Sequence, residues 1–273
     1  MADSFRGASA ESQELLYEQL GTAVNGGADG NRIGDDLFGV AQLLESEPRL
    51  RRILTDVSTD AEAKAGLVRQ LFGGKLADAS VELVSLAARQ RWAGTRDLGF
   101  ALERVGVVAV VRAAEQEGHA DALEEELFAF GRLVSENHEL RDALSDPARS
   151  DDDKRALLES LLAGRVTSGT MRLAQQATSG SHRTVAVAIE EYEKVAAAQR
   201  QRLVALVHVA QPLGEGETER LRAALARQYG REVHLNVLVD PGVIGGVRVE
   251  VGNDVIDGTV ASRLDEARRR LAG

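Results

Sequence analysis

Asp240-Pro241-Gly242-Val243-Ile244-Gly245-Gly246-Val247-Arg248-Val249-Glu250-Val251-Gly252-Asn253-Asp254-Val255-Ile256-Asp257-Gly258 is the stretch whose reading decides the fold. Val247, Val249 and Val251 alternate with Arg248 and Glu250, which puts valines on one face of a strand and charges on the other. Gly252-Asn253-Asp254 has the composition of a tight turn between antiparallel strands, and Val255-Ile256-Asp257 is a short strand beyond it. Before this stretch, Val233 to Val239 reads as a strand. Thr218 to Tyr229 reads as an amphipathic helix with Leu221, Ala224, Leu225 and Tyr229 on one face. Leu203 to Val209 is a continuous apolar run, as in a strand buried on both faces, and Gln211-Pro212-Leu213-Gly214 ends it. After the stretch, Thr259 caps a last helix through Leu264 to Leu271, with Arg268 to Arg270 at its negative end. Residues 203–273 are therefore expected to form a small α/β domain with a mixed sheet.

Everything upstream carries the helical period. Leu37, Val40, Ala41 and Leu44 make one apolar stripe, and Leu50, Ile53, Leu54 and Val57 make another. Thr59-Asp60-Ala61-Glu62 has the form of a capping box ahead of a helix with Leu67, Val68 and Leu71, which Gly73-Gly74 stops. The same succession returns 90 residues later. Leu37-Phe38, Leu43, Leu50-Arg51, Leu54, Asp56, Lys64, Leu67, Leu71 and Gly74 are matched by Leu127-Phe128, Leu133, Leu140-Arg141, Leu144, Asp146, Lys154, Leu157, Leu161 and Gly164. Without a gap, 11 of 39 positions are identical between 37–75 and 127–165, which we read as a duplication. Ser150-Asp151-Asp152-Asp153 supplies the acid-rich helix start of the second copy. The expected fold is mainly α: a first helical bundle at 1–112, a second at 113–202, and the α/β domain at 203–273. Leu98, Leu102, Val105, Val108 and Val111 close the first bundle and lead straight into the second. No Pro- or Gly-rich linker intervenes, so the halves are expected to pack together or share a helix.

Composition narrows the functions available. With 28% charged and 44% hydrophobic residues the chain of 273 residues is globular and long enough for more than one core. A net charge of −10 argues against nucleic acid or an anionic membrane surface as the main ligand. The absence of cysteine excludes disulfides, thiolate nucleophiles and cysteine-based metal sites. No run approaches the ~18 apolar residues that a membrane span needs. The first residues lack the apolar segment of a signal peptide, so a cytosolic chain is expected.

The order strand, Pro-Leu turn, helix, strand, then Val239-Asp240-Pro241, Val243-Ile244-Gly245-Gly246-Val247 and Val255-Ile256-Asp257-Gly258-Thr259 resembles the delta subunit of F-type ATP synthases. That family includes the mitochondrial oligomycin-sensitivity-conferring protein. Asp240, Ile244, Gly245, Gly246, Gly252, Ile256, Asp257, Gly258, Arg263 and Leu264 all fall in the family's order, within Leu203 to Leu271. Family members begin with one compact helical bundle, and the doubled form here is similar to the long delta subunits of actinobacteria. The resemblance implies a non-catalytic stator subunit with no cofactor. Its helical part would bind the amino-terminal segments of the alpha subunits, and its carboxy-terminal module would hold the end of the b stalk. It also implies one copy per complex, attached peripherally at the cytoplasmic face of the bacterial plasma membrane.

The residues themselves offer little to rival chemistry. Gly245-Gly246 lacks the spacing of a phosphate loop and is followed by a strand, so structural glycines are expected. Asp240, Asp254 and Asp257 read as turn and cap residues in preference to a metal cluster. His119, His138, His182, His208 and His234 show no ligand spacing, although His208 and His234 lie in strands that could be neighbours. Trp92 reads as a core anchor, with an interface anchor as the alternative. The competing functional reading is a tandem helical adaptor unrelated to ATP synthase; a small α/β enzyme with a helical regulatory region is the third.

Overall fold

The computed structural model describes residues 5, 7–146, 148–201, 203–229, 233–240, 243, 245–251 and 254–257. Ile244, Gly252, Gly258, Arg263 and Leu264 lie outside the described residues, as does the expected helix from Thr259 to Leu271. Two compact units, Met1–Ala197 and Ala198–Gly273, account for the chain.

The first unit is built from α1 (Ala8–Asn25), α2 (Gly30–Ser46), α3 (Pro48–Thr55), α4 (Ala61–Phe72), α5 (Asp78–Arg89), α6 (Asp97–Gln116), α7 (Ala120–Glu136), α8 (His138–Ser145), α9 (Asp151–Leu162), α10 (Ser168–Ser179) and α11 (Val185–Gln201). The unit boundary falls within α11. Helices α2 to α5 recur as α7 to α10 with both ends of every helix displaced by 90 residues. Displaced by the same amount, α1 falls on α6, and α6 falls near α11. Helix α6 is therefore the last helix of one set and the first of the next, and the expected division at 112/113 lies inside it.

The sequence of α6 suits this double role. Leu98, Ala101, Leu102, Val105 and Val107 to Val111 are all buried, so the helix is apolar nearly all round, as a helix packed on both sides must be. It packs on α1, α2 and α5 of the first set and on α7 and α10 of the second, within one continuous core. Ala101, Val105 and Val108 occupy the positions at which α1 presents exposed Glu11, Leu15 and Glu18. The outer face of α1 thus carries two acids beside Leu15 where α6 is wholly apolar, as suits an end of the stack.

Several contacts are repeated along with the helices. Asp36 on α2 accepts a hydrogen bond from the Ala77 amide (2.9 Å), and Glu126 on α7 accepts one from the Thr167 amide (2.8 Å). Each satisfies an otherwise unpaired donor at the start of α5 or α10. Asp60 caps α4 by accepting from the Ala63 amide (3.0 Å), and Ser150 caps α9 by accepting from the Asp153 amide (3.1 Å). The expected capping box shifts by one residue: Thr59 instead donates to Asp56 (3.2 Å), and Glu62 pairs with Arg89 (2.8 Å). Asp56 stays below the usual carboxylate range, first because it accepts from the Ser58 amide and then from the Ser58 hydroxyl.

One stripe is also corrected. Leu37, Val40, Ala41 and Leu44 are buried as expected, and so is Leu54, but Ile53 is 47% and Val57 69% exposed. Trp92 is a core residue: its indole N–H donates to the Ala87 carbonyl (2.9 Å), and Phe5 meets its ring edge-on.

The second unit is a four-stranded mixed sheet, β1 (Leu203–Val209), β2 (Val233–Val239), β3 (Val247–Val251) and β4 (Asp254–Asp257), with α12 (Glu215–Tyr229) between β1 and β2. The strand order is β2-β1-β3-β4. Strand β2 runs parallel to β1, while β3 is antiparallel to both β1 and β4. Ala205, Val207, Val209, Val249 and Val251 form a buried face with Leu225 of α12, and Leu221 packs against it. On the opposite face Leu206 and His208 are only half-buried, so the central strand is not covered on both sides by the described residues. Ala224 is exposed, off the buried face of α12.

Candidate functional site

The described residues after β2 are fixed by backbone hydrogen bonds. Strands β2 and β3 flank β1 on opposite sides, so the chain between them must pass the end of β1. The Asp240 amide donates to the Val209 carbonyl (2.9 Å), which fastens the crossing there. The Val243 amide donates to the Asp240 carbonyl (3.0 Å) and the Gly245 amide to the Val243 carbonyl (3.0 Å). Gly245 (φ 67°) and Gly246 (φ 85°) then turn the chain into β3 through the left-handed region, which side chains with a Cβ rarely occupy. Ile256 is half-buried opposite Val249, and Asp257 is exposed opposite Arg248. Arg248 pairs with Glu250 (2.8 Å), a partly exposed contact worth ~0–1 kcal/mol.

The same register separates the groups that a catalytic or metal site would need together. Asp240 follows β2 and Asp257 ends β4, the two edges of the sheet. Three strand spacings, roughly 14 Å, lie between those edges. Asp254 opens β4 opposite Val251, at the other end of the strand from Asp257. His234 stands opposite Val204 and His208 opposite Leu238, four residues apart along parallel strands, so the two histidines are not neighbours. Among the described residues no three His, Cys, Asp or Glu side chains converge in a metal-binding arrangement.

In the helical unit the most elaborate polar centre is buried. Glu103 on α6 accepts from the Tyr192 hydroxyl (2.6 Å), the Ser181 amide (3.1 Å) and the Ser181 hydroxyl. Burial, reinforced by the Glu103 charge, pushes the Tyr192 hydroxyl well above its usual range. Gln13, the residue of α1 in the same repeat position, donates instead to the Tyr17 hydroxyl (2.6 Å). These contacts hold α6 to α11 and to the turn between α10 and α11, beside a groove that Glu103 and Ser181 help to line.

What remains open is apolar surface on helices and strand ends. Leu43 and its repeat partner Leu133 are both exposed, as are Leu238, Val239 and Val255 in the sheet. A shallow groove lies where α2, α3, α6 and α10 meet, lined among others by Ala41, Leu44, Arg51, Arg96, Phe100 and Ser179. Sequence reasoning missed the exposure of Ile53 and Val57. Arg49 and Arg52, alternating with them at helical spacing, were the available signal.

The described chain is a tandem helical array followed by a small mixed-sheet module. The family profile described as "ATP synthase delta (OSCP) subunit" matches residues 107–271, more than half of the chain. An ATP synthase subunit delta from a Nocardioides species is 53% identical over 278 residues, covering 99% of this chain and 98% of that one. Those from Kineococcus radiotolerans and Streptomyces avermitilis are 48% and 43% identical, each over 97% of this chain and 95% and 98% of their own. A chain of the Toxoplasma gondii mitochondrial ATP synthase hexamer aligns with 20% identity and a TM-score of 0.27 over 61% of this chain, too weak a likeness to argue from. The chain belongs to the ATP synthase delta (OSCP) subunit family.

Proposed function

We propose that this chain is a non-catalytic peripheral-stalk subunit of a proton-translocating F-type ATP synthase, holding the catalytic head to the b stalk against the torque of the rotor. The observation that carries the reading is family membership over nearly the whole length, with the profile match spanning the second helical set and the sheet module. In this reading the helical part, residues 1–112 and 113–202, takes the amino-terminal segments of the alpha subunits, and the additional bundle lengthens or stiffens the stalk or adds a contact to b or alpha. Residues 203–273 hold the end of the b stalk. Asp240, Ile244, Gly245, Gly246, Gly252, Ile256, Asp257, Gly258, Arg263 and Leu264 shape that last module for docking. One copy serves each complex, at the cytoplasmic face of the bacterial plasma membrane. No helix among the described residues is long and apolar enough to cross a membrane.

The physical demand is a large, slowly dissociating contact at both ends, of the ~1,200–2,000 Å² or more that stable interfaces bury. The test is rebinding of purified catalytic heads to membranes stripped of this chain. Restoring the chain is expected to restore head binding, and removing residues 203–273 to abolish it. Head binding that is equally strong without the chain, or co-purification of the chain from cell extracts with no synthase subunit, would contradict the proposal.

A further inference from the structure

We propose that the outward face of α3 is a docking site for an acidic amphipathic helix of a partner protein. The argument rests on comparing the two copies of the repeat, and it does not depend on the proposed place in the synthase. Helices α3 and α8 begin and end 90 residues apart, so the fold asks the same of both. At the inward positions the residues are kept: Leu50 and Leu140, Arg51 and Arg141, and the fully buried Leu54 and Leu144. At the outward positions they are not. Arg49, Arg52 and Ile53 of α3 stand where α8 has Glu139, Asp142 and Ala143.

The α3 face sets positive charge beside exposed apolar surface. Arg49, Arg52 and Ile53 lie at i, i+3 and i+4 on one side of the helix, with Val57 just past its end. Ile53 is 47% and Val57 69% exposed. Among the described residues neither Arg49 nor Arg52 joins an ion pair. Asp56 beside them is turned to the Ser58 amide (2.9 Å) and hydroxyl and to Thr59, and so does not neutralise them. Because α8 keeps the same helix with acidic and small residues, stability does not require the arginines and the exposed apolar pair. They form a basic and apolar strip on a chain whose net charge is −10. Charge complementarity selects a partner with acids flanking an apolar i, i+3, i+4, i+7 ridge.

The test uses the full chain and three probes. One peptide carries leucines at that spacing among glutamates, a second carries the same leucines among lysines, and the third probe is a phosphatidylglycerol–phosphatidylcholine vesicle. The unaltered chain is expected to bind the glutamate peptide at least tenfold more tightly than the lysine peptide, and more weakly as salt is raised. The triple change Arg49→Glu, Arg52→Asp, Ile53→Ala installs residues that α8 already tolerates. It is expected to abolish that preference while leaving the helical circular dichroism and unfolding midpoint unchanged. The reverse change Glu139→Arg, Asp142→Arg, Ala143→Ile is expected to add a second binding site. Absence of binding to the glutamate peptide, equal binding of both peptides, or binding unaffected by the triple change would overturn the proposal. So would binding to the vesicles alone, which would assign the strip to an anionic membrane.

Discussion

Gly34 and Gly106 show what single residues decide in this molecule. A Cβ at Gly34 would stand 2.6 Å from Val110 Cγ2, and one at Gly106 would stand 2.6 Å from Phe38 Cε1. Close approach of α2 and α6 therefore depends on both glycines. Gly106→Ala is expected to cost ~1–3 kcal/mol through overpacking, read as a lower urea midpoint. The glycines also explain a difference that the repeat concealed. Phe38 is 7% exposed, whereas Phe128, the identical residue 90 positions on, is 59% exposed. At the position matching Gly106 the second set has Ala196, and no equivalent pocket receives the ring. Identity at offset 90 was legible in the sequence; the environment was not, because it is set by a residue on another helix. Tyr192 gives a second test at this scale. Tyr192→Phe deprives the buried Glu103 of a donor and is expected to cost about 1.5–3 kcal/mol at pH 7. The Tyr192 pKa is raised in the folded state above the ordinary ~10, so its stabilising contribution is complete below pH ~10 and is lost as pH rises beyond it. Urea midpoints measured from pH 7 to 11 should therefore fall more steeply for the unaltered chain than for Tyr192→Phe; parallel curves would contradict this.

Among the elements, the helix starts are where duplication is most literal. Asp36→Ala and Glu126→Ala each remove the acceptor for the amide that opens α5 or α10. Each is expected to cost ~1–3 kcal/mol, and the two should add in the double variant because the sites share no partner. Faster hydrogen exchange at the Ala77 and Thr167 amides would locate the loss; unchanged exchange there would contradict the assignment. The apolar stripes of α2 and α3, the start and stop of α4, and their repeats in α7 to α9 were readable from periodicity, whereas α5 and α10 lie beyond the aligned stretches 37–75 and 127–165. The double role of α6 was less so. Its continuous apolar run from Val107 to Val111 signalled burial on all sides, but a boundary placed by repeat length alone cuts through it. In the sheet, the alternation of β3 gave the buried face correctly. The strand order, with β1 between β2 and β3, follows from pairing between distant residues that no local pattern reports.

For the whole molecule, the shared helix gives both sets of helices one continuous core. Removing residues 1–96 uncovers Ala101, Val105 and Val108 of α6, where α1 has Glu11, Leu15 and Glu18. The truncated chain is expected to self-associate in light scattering and bind apolar dyes, unlike the full chain; a monodisperse, dye-free truncation would refute the shared-core account. The assembly role is tested most directly by ATP synthesis in energised membrane vesicles, depleted of this chain and then resupplied with it. The account predicts that depletion abolishes synthesis, that the chain restores it, and that ATP hydrolysis by the isolated catalytic head is unchanged throughout. Undiminished synthesis in depleted vesicles, or loss of hydrolysis by the isolated head when the chain is removed, would contradict it.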